Sequence, residues 1–443
     1  MPGTCHLLLY LVNLTGKTPI AINDRTHARR VLLIAPYASY RTVPFVEAAQ
    51  ALGVEVVIAS HDRSALVAAD SRGVHIDMGD PDAAMHTLLA AAQQTPFSAV
   101  IGTDDASTEL AARVCAVLAL AHNPPAAVQL ARRKDLARAC LARAGIMVPH
   151  YQRIDLREDW LSQCAEIAFP CVVKPVALSA SRGVIRVNNP EELERAINRV
   201  QRLLTTVQEI TERDTLLVEA FISGAEVAVE GLLTAGNLTV LAIFDKPDPL
   251  EGPYFEETYY ITPSRQPQAV QQLIVQQVSA ACRAYGLRTG PVHAECRINA
   301  QGVWILEVAA RTIGGLCARL LRFGTGYGLE ELVLAHALGL PVSAQARAGA
   351  AGVLMIPIPA AGILRRVEGI RAAEQVAHIE EVVISVRAGN ELVPLPEGAS
   401  YLGFIFAHAP TPAAAEAALR AAHARLNIVI APLWKGRYDP QSS

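Results

Sequence analysis

The chain has 443 residues, which is too long for one hydrophobic core and predicts two to four domains. Its hydrophobic fraction of 51 % and charged fraction of 18 % exclude an intrinsically disordered chain. A net charge of −3, with no basic run interleaved with aromatics, argues against a nucleic-acid-binding surface.

Residues 30 to about 125 alternate strands with helices. The pattern predicts strands at 31–35, 54–58 and 98–102, and helices at 42–52 and 106–120. This order is typical of a parallel sheet and predicts an N-terminal α/β domain over residues 29–125. A Gly-x-Gly-x-x-Gly pattern is missing after the first strand, so a nicotinamide or flavin site is not indicated.

A second domain is predicted over residues 126–341. Its elements in order are a helix at 126–144, strands at 171–174 and 184–187, a helix at 191–204, strands at 215–221, 225–233 and 238–244, a Pro-, Glu- and Tyr-rich functional loop at 246–267, a helix at 268–286, strands at 293–298 and 302–308, and a helix at 328–338. An Ala-rich linker at 342–350 begins a predicted C-terminal domain, 342–443. Its strands near 352–358, 381–386 and 402–407 and its helix at 411–426 predict a small α+β lid.

Cysteine spacing and apolar runs predict the compartment. The eight cysteines form no Cys-x-x-Cys pair and no zinc-spaced cluster, which predicts free thiols in a reducing compartment, the cytoplasm. The longest apolar run is too short to cross a membrane. Residues 6–12 are apolar but lack the basic region and cleavage site of a signal peptide, so residues 1–28 are predicted to be an extension.

Two glutamates on a predicted hairpin carry the first candidate site. Glu295 and Glu307 lie on strands joined by residues 299–302, which have hairpin-turn chemistry. On adjacent antiparallel strands the two carboxylates share one face, where they repel each other unless a cation lies between them. Mg²⁺ takes one or two carboxylates and leaves its other positions to waters and phosphates. The alternative is a pair of exposed glutamates on an ordinary hairpin.

Two lysines are candidates for binding phosphate. Lys174 ends a strand and precedes Ser179, Ala180 and Ser181, a small hydroxyl-bearing loop whose backbone N–H groups could wrap phosphate oxygens. The alternative is a tight hairpin with a lysine that reaches solvent. Lys134 begins a charged helical stretch, and taken alone it is a solvated helix charge.

Three further features have both a binding and a structural interpretation. The apolar stretch of Glu219, Ala220, Phe221 and Ile222 could hold a purine through its main chain, and Glu226 could accept hydrogen bonds from ribose hydroxyls. The alternative is a simple antiparallel hairpin. Arg311, four residues after Glu307, could grip a carboxylate or acyl phosphate with two hydrogen bonds, and the alternative is a surface arginine before a glycine turn.

Taken in chain order, these segments resemble the ATP-grasp superfamily of carboxylate–amine ligases, and within it the branch of bacterial L-amino-acid ligases that make dipeptides. The resemblance covers residues 30–434 and includes Gly389, residues 394–396 and residues 401–403 of the C-terminal domain. It implies an N-terminal parallel α/β domain, central ATP-grasp domains and the small C-terminal lid.

The resemblance implies a role for each candidate residue. Lys134 and Lys174 would contact the ATP phosphates, and Ser179, Ala180 and Ser181 would cover the triphosphate. Glu219, Ala220, Phe221 and Ile222 would border the adenine, and Glu226 would contact ribose. Glu295 and Glu307 would hold Mg²⁺, with Mn²⁺ as an alternative ion. Arg311, Lys174 and Glu257 are the predicted catalytic residues.

Three positions depart from the family pattern. Ala180 stands where glycine is common, and Ala309 stands where many ATP-grasp enzymes have a metal-binding asparagine. Tyr260 replaces the histidine of the Glu-x-x-His that some dipeptide ligases carry, here starting at Glu257. The last departure leaves the substrates open, and Glu256, Glu257 and Arg265 are predicted to shape their pocket.

The implied reaction has two steps. A carboxylate takes the γ-phosphoryl group of ATP to give an acyl phosphate and ADP, and an amine then displaces phosphate. The predicted partners are therefore a small-molecule acid, an amino acid in the first instance, and an amine, with a homodimer as the default assembly. Two other readings stay open: an ATP-dependent carboxylase acting through carboxyphosphate, and a non-catalytic nucleotide-binding protein.

Overall fold

The computed structural model describes residues 29–36, 39–61, 72–207, 209–342 and 348–433. The predicted extension 1–28, the centre of the predicted linker and the last ten residues lie outside these ranges. The described chain groups into two compact units, each built from separate segments. The first unit includes residues up to 149, 222–245 and 262 onward to the linker, and the second includes 150–221, 246–261 and the C-terminal region. The predicted boundaries at 125/126 and 341/342 remain predictions.

The helices are α1 (Thr42–Ala51), α2 (Pro81–Gln94), α3 (Asp105–Val117), α4 (Pro125–Arg132), α5 (Lys134–Arg143), α6 (Trp160–Gln163), α7 (Pro190–Leu204), α8 (Ile210–Arg213), α9 (Gln268–Tyr285), α10 (Leu320–Thr325), α11 (Leu329–Ala337), α12 (Ile370–Glu374) and α13 (Pro412–His423). The strands are β1 (Arg30–Ile34), β2 (Glu55–Ser60), β3 (Arg72–His75), β4 (Ala99–Gly102), β5 (Tyr151–Asp155), β6 (Cys171–Pro175), β7 (Ile185–Val187), β8 (Thr215–Ala220), β9 (Ala225–Thr234), β10 (Asn237–Lys246), β11 (Tyr259–Thr262), β12 (Gly290–Asn299), β13 (Gly302–Ala309), β14 (Ala350–Ile356), β15 (Gly362–Glu368), β16 (Ile379–Ile384), β17 (Glu391–Leu392), β18 (Gly403–Ala409) and β19 (Asn427–Ala431).

The first unit begins with a four-stranded sheet in the order β3-β2-β1-β4, and each neighbouring pair is parallel. Every residue of β1 is buried, as expected for a strand covered on both faces. Helix α3 begins directly after β4, where the Asp104 side chain accepts the Ala106 N–H as an N-cap. The predicted parallel sheet is confirmed, although the short strand β3 was not predicted.

The second sheet of this unit contains β13-β12-β9-β10 in that order. Helix α9 packs Ile274 and Val278 into the same core as Val292 and Ile305 of the hairpin β12–β13. The Asn299 carboxamide oxygen accepts the N–H of Gln301, which stabilises the hairpin turn. The predicted hairpin is therefore present.

The second unit contains an antiparallel sheet in the order β5-β8-β6-β7. Helix α7 buries Leu193, Ile197 and Val200 against it, in one core with Val173 and Val218. Asn189 caps this helix by accepting the Glu192 N–H, and Pro190 occupies its first turn.

The C-terminal part of this unit forms two further strand groups, β11-β14-β18-β16 and β17-β15-β19. Helix α13 buries Leu419 in the core that contains Leu354 and Ile405. Strand β11 lies inside the segment 246–267, which was predicted as a loop, so that prediction was wrong for residues 259–262.

The predicted helix 126–144 is two helices, because Arg133 is extended with φ −95° and ψ 103°. Its guanidinium donates to both carboxylate oxygens of Asp135, at 3.0 and 2.8 Å. The break makes Lys134 the first residue of α5.

The seven cysteines within the described ranges are free thiols. Burial raises the pKa of Cys115 to about 11 and that of Cys282 to about 12. These side chains therefore stay protonated and pack as small apolar groups. Over the same ranges, none of the helices combines the length and apolar character that crossing a bilayer would need.

Candidate active site

The hairpin β12–β13 places the two predicted metal ligands side by side. Glu295 lies directly opposite Glu307 in the antiparallel register, so both side chains leave the same face of the sheet. Both are partly buried, with about a quarter of each side chain exposed (23 % and 24 %). Two carboxylates in this arrangement supply the hard oxygen ligands that Mg²⁺ prefers, and they leave room for waters and phosphate oxygens.

A β-bulge lies in the hairpin next to the pair of Glu295 and Glu307. Glu295 pairs with Glu307 but Cys296 pairs with Ile305, which leaves Leu306 as the extra residue. The buried Arg138 guanidinium of α5 donates to the Leu306 carbonyl at 2.5 Å. This hydrogen bond ties α5 to the hairpin at the point where the two predicted metal ligands lie.

Lys134 is carried to the hairpin by the same helix. Its Nζ lies 3.2 Å from Oε2 of Glu307, and the side chain is only 12 % exposed. The interpretation of Lys134 as a solvated helix charge is therefore wrong. An ammonium group at this carboxylate can neutralise phosphate charge beside the predicted metal site.

His293 links a second carboxylate to Glu295. Its Nδ1 lies 3.1 Å from Glu230 and its Nε2 lies 3.6 Å from Glu295. Burial alone would lower the pKa of His293, but the hydrogen bonds to Glu230 and Glu295 outweigh it and raise the pKa to about 9. Glu230 is fully buried and also accepts the Ile313 N–H.

Arg311 is buried within the first unit, so its interpretation as a surface arginine is wrong. Its Nε donates to Asp105 at 2.9 Å and its Nη1 donates to the Thr312 carbonyl at 3.0 Å. Burial opposes the charge on Arg311, but Asp105 and Glu307 raise the pKa of the guanidinium above its ordinary value. Burial likewise opposes the charge on Asp105, and Arg311 lowers the pKa of that carboxyl group.

Arg41 secures the loop that follows Arg311. Its guanidinium donates to the carbonyls of Thr103, Thr312 and Ile313, at 3.0, 3.4 and 3.2 Å. These contacts join the carboxyl end of β4 to residues 312–313. Ligands of open α/β sheets bind at the carboxyl ends of the strands, and Asp105 follows β4 at such an end.

Glu226 forms a buried ion pair on strand β9. Its Oε2 accepts from Nε of Arg297 at 2.8 Å, and Nη1 of the same guanidinium donates to the Ile222 carbonyl at 2.5 Å. Arg297 therefore fixes both Glu226 and the backbone at Ile222, which are two of the predicted nucleotide contacts.

Lys174 and Glu219 form a close ion pair in the second unit. The residues lie on neighbouring antiparallel strands, and Lys174 Nζ is 2.5 Å from Oε2 of Glu219. Glu219 is almost fully buried. The alternative in which Lys174 reaches solvent is wrong, because only 12 % of its side chain is exposed.

The segment between β6 and β7 is a compact loop, residues 179–184, hereafter loop 179–184. Ala180 and Ser181 both have left-handed backbones, with φ of 56° and 54°. Arg182 N–H donates to the Ser179 carbonyl and Val184 N–H donates to the Ser181 carbonyl. The departure at Ala180 thus falls at a residue whose conformation favours glycine.

Phe221 lies at the end of the predicted adenine border. The Arg186 guanidinium lies over its ring at 4.1 Å from the centroid, and the Phe255 ring lies 6.3 Å away. The Phe221 N–H donates to the Pro170 carbonyl at 3.1 Å. The role of this segment in holding the adenine stays a prediction.

Glu257 is held between two partners of the second unit. The Lys246 ammonium donates to one carboxylate oxygen, and the Tyr260 hydroxyl donates to the other at 2.7 Å. Tyr260 therefore occupies the Glu-x-x-His position as a hydrogen-bond donor to the same glutamate.

The other two predicted pocket residues have separate environments. Burial raises the pKa of Glu256, whose carboxylate accepts a hydrogen bond from the Ile358 backbone. Arg265 donates from both its backbone N–H and its Nε to Asp245, at 2.8 and 3.1 Å. Their prediction as pocket residues stays a prediction.

Comparison with known families identifies three matching regions. Residues 167–319 match the ATP-grasp domain, residues 46–122 match the ATP-grasp N-terminal domain, and residues 354–431 match the L-amino acid ligase C-terminal domain 2. The chain therefore contains an ATP-grasp domain, an ATP-grasp N-terminal domain and an L-amino acid ligase C-terminal domain. The predicted resemblance, including its L-amino-acid-ligase branch, is confirmed.

A curated relative and a solved structure agree with these family matches. It is 28 % identical over 239 residues to alanine–anticapsin ligase of Bacillus subtilis, a match that covers 50 % of each chain. The chain thus matches about half the length of such curated relatives. The crystal structure of an L-amino acid ligase from Bacillus licheniformis has a TM-score of 0.77 and 27 % identity, and covers 92 % of this chain and 100 % of that one.

A more distant structure shows the same fold. The biotin carboxylase domain of 2-oxoglutarate carboxylase from Hydrogenobacter thermophilus, solved with MgADP and bicarbonate, has a TM-score of 0.66 and 18 % identity. That match covers 91 % of each chain. The predicted fold class is therefore confirmed.

Proposed function

We propose that this protein is an ATP-dependent ligase that joins the carboxylate of an amino acid to an amine through an acyl phosphate, with release of ADP and phosphate. The supporting observation is the hairpin that sets Glu295 opposite Glu307, with Lys134 3.2 Å from Glu307. The C-terminal match to the L-amino acid ligase family favours an amino acid as the acid.

In this proposal the first step depends on charge and position. Lys134 and Lys174 bind phosphate oxygens, and their ammonium groups offset the charge that develops as the γ-phosphoryl group moves. Glu295 and Glu307 would hold Mg²⁺ or Mn²⁺, which supplies further charge neutralisation on the transferring phosphate. The side chains are restrained before ATP binds, because Lys134 pairs with Glu307 and Lys174 pairs with Glu219.

Arg311 is assigned to the substrate carboxylate and then to the acyl phosphate. Its guanidinium is held by Asp105 and by the Thr312 carbonyl, so its position is fixed while the substrate reacts. A planar guanidinium suits both a carboxylate and a phosphate group. The incoming amine then attacks the acyl carbon and phosphate leaves with the electron pair of the broken C–O bond.

The nucleotide contacts follow from the same proposal. The backbone of Glu219, Ala220, Phe221 and Ile222 borders the adenine, and Glu226 contacts ribose. Ser179, Ala180 and Ser181 cover the triphosphate and exclude water from the acyl phosphate. The ring of Phe221, held by Arg186, gives the adenine border an apolar face.

Substrate choice is assigned to Glu256, Glu257 and Arg265. Glu257 keeps a fixed orientation because Lys246 and Tyr260 both donate to it. Alanine at each of the three positions should change which amino acids stimulate ATP turnover, measured by ADP release across single amino acids. An unchanged substrate profile in all three variants would remove these residues from the pocket.

The assembly and location of the enzyme are proposed on general grounds. A homodimer is the common assembly of enzymes of this size, and the free thiols suit the cytoplasm. An ATP-dependent carboxylase remains the second candidate, since the fold is shared with a biotin carboxylase domain. A non-catalytic nucleotide-binding protein is the third.

One assay separates the three functions. ADP release is measured with Mg²⁺-ATP and either pooled amino acids or bicarbonate, with Glu307→Gln as the control. The ligase requires release that depends on amino acids and is lost in the variant. Release with bicarbonate alone would identify the carboxylase, and ATP binding without release in any mixture would indicate the non-catalytic protein.

A further inference from the structure

Loop 179–184 needs support from outside its own residues. Ala180 and Ser181 occupy the left-handed region, which side chains disfavour, and Gly183 follows with φ 71°. The loop contains two backbone hydrogen bonds of its own, at 3.3 and 3.1 Å. Two such bonds are too few to fix the backbone conformation of three left-handed residues. Unfavourable backbone conformations of this kind persist where surrounding structure holds them.

That support comes from a turn more than 200 residues later, residues 394–398, hereafter turn 394–398. The Gly183 N–H donates to the Pro396 carbonyl at 2.9 Å. The Arg182 Nε donates to the Glu397 carbonyl at 3.1 Å. Two consecutive loop residues are therefore bonded to two consecutive carbonyls of the turn.

Turn 394–398 has a narrowly defined shape. The Gly398 N–H donates to the Pro394 carbonyl at 2.9 Å. A Cβ at position 398 would lie 1.9 Å from the Val393 carbonyl oxygen, so only glycine fits there. The carbonyls of Pro396 and Glu397, which accept the hydrogen bonds from the loop, therefore have fixed directions.

Glu397 connects this turn to helix α7 through its side chain. Arg199 donates from Nε to Oε1 at 2.5 Å and from Nη2 to Oε2 at 2.9 Å, a two-point contact. Nη1 of Arg199 also donates to the Tyr254 hydroxyl at 2.6 Å. Helix α7, the turn and loop 179–184 are thus linked in one chain of hydrogen bonds.

We propose that Glu397 is a positioning residue for ATP: by its two-point contact with Arg199 it fixes turn 394–398, which in turn holds loop 179–184 in the conformation that binds the triphosphate. The proposal rests on the proposed function for the role of the loop. The C-terminal domain then contributes to nucleotide binding through the carboxylate of Glu397.

Trypsin offers a direct readout of the loop, because it cleaves after Arg182. In the nucleotide-free protein, Glu397→Ala should speed cleavage at this bond by roughly fivefold, since losing a two-point ion pair shifts a local opening equilibrium by about that factor. The matched control is Glu391→Ala, the same change at an exposed glutamate six residues earlier. Equal cleavage rates in the two variants would overturn the proposal.

ATP binding supplies the second readout. Glu397→Ala should raise the KM for ATP by roughly fivefold while kcat changes less than twofold, because the loop must first be ordered by the ligand. Glu397→Gln keeps the shape and one hydrogen bond, and should fall between wild type and Glu397→Ala. An unchanged KM despite faster cleavage would refute the positioning role.

The two proposals fail in distinguishable ways. If the protein turns over no ATP with any substrate, the proposed ligase fails, and Kd for ATP measured by calorimetry replaces KM in the same comparison. Thermal unfolding midpoints of the Glu397 and Glu391 variants are measured in parallel. A large fall in the midpoint for Glu397→Ala with no change in the Arg182 cleavage rate would make the residue merely structural.

Discussion

The ion pair between Lys174 and Glu219 allows stability and ATP binding to be separated. Its atoms are 2.5 Å apart, and 12 % and 2 % of the two side chains are exposed. Removing one partner of a buried pair costs about 3–5 kcal/mol, since the other charge is left in a poorly polar environment. Because Lys174 retains a little exposure, we expect Lys174→Met to lower the free energy of unfolding by about 2–4 kcal/mol.

Replacing both residues removes that penalty. Two apolar side chains of similar volume are close to neutral in place of a buried ion pair. The double variant Lys174→Met, Glu219→Leu should therefore recover most of the lost free energy of unfolding, measured by denaturant titration. If the double variant is as unstable as the single one, the reasoning about this pair is wrong.

ATP affinity should not recover in the double variant. A charge-assisted hydrogen bond from Lys174 to phosphate contributes about 1.5–3 kcal/mol, so both variants should bind ATP at least about tenfold more weakly. Isothermal titration calorimetry measures this difference directly. Wild-type affinity in the stable double variant would show that phosphate is bound by other residues.

The remaining predictions use other parts of the site. Glu307→Gln should abolish ATP turnover with an unchanged circular dichroism spectrum, and persistent turnover would refute the metal assignment. Asp105→Asn should lower kcat/KM by about 10- to 100-fold because Arg311 loses its orienting carboxylate, and a normal rate would mean that this contact is dispensable. Gly183→Ala should lower the unfolding free energy by about 1–2 kcal/mol more than Gly53→Ala. Both glycines have positive φ, but an added Cβ lies 2.9 Å from a proline ring at Gly183 and meets nothing within 4 Å at Gly53. Equal losses of unfolding free energy in the two variants would show that the structure around the proline ring relaxes to accommodate the added Cβ.

The hairpin could be predicted because its signals are local. Residues 299–302 have turn chemistry, and the flanking strands contain the glutamates at positions that the register brings opposite each other. Lys174 and the strand that carries it were predictable for the same reason. The bulge at Glu295 was not predicted, because no local pattern marks it, and Arg138, which donates to the Leu306 carbonyl at the bulge, lies on another element.

Three features of the fold and of the candidate site were not predicted from the sequence. Residues 126–144 are good helix formers throughout, yet the chain breaks at Arg133, whose side chain makes a buried pair with Asp135. Asp105 reads as an ordinary residue of a helix start, and its role is visible only when Arg311, 206 residues later, lies against it. The left-handed backbone of Ala180 opposes the conformational preference of alanine, and the turn that bonds to the nearby Arg182 and Gly183 lies more than 200 residues later in the chain.

The acyl phosphate is the central claim, and oxygen transfer tests it most directly. An amino acid that stimulates turnover is supplied with isotopically labelled carboxylate oxygens, together with Mg²⁺-ATP and the amine. Mass spectrometry of the released phosphate should show one labelled oxygen for each ligated product, because the carboxylate oxygen that attacks the γ-phosphate leaves with it. Product formation with unlabelled phosphate would contradict the account.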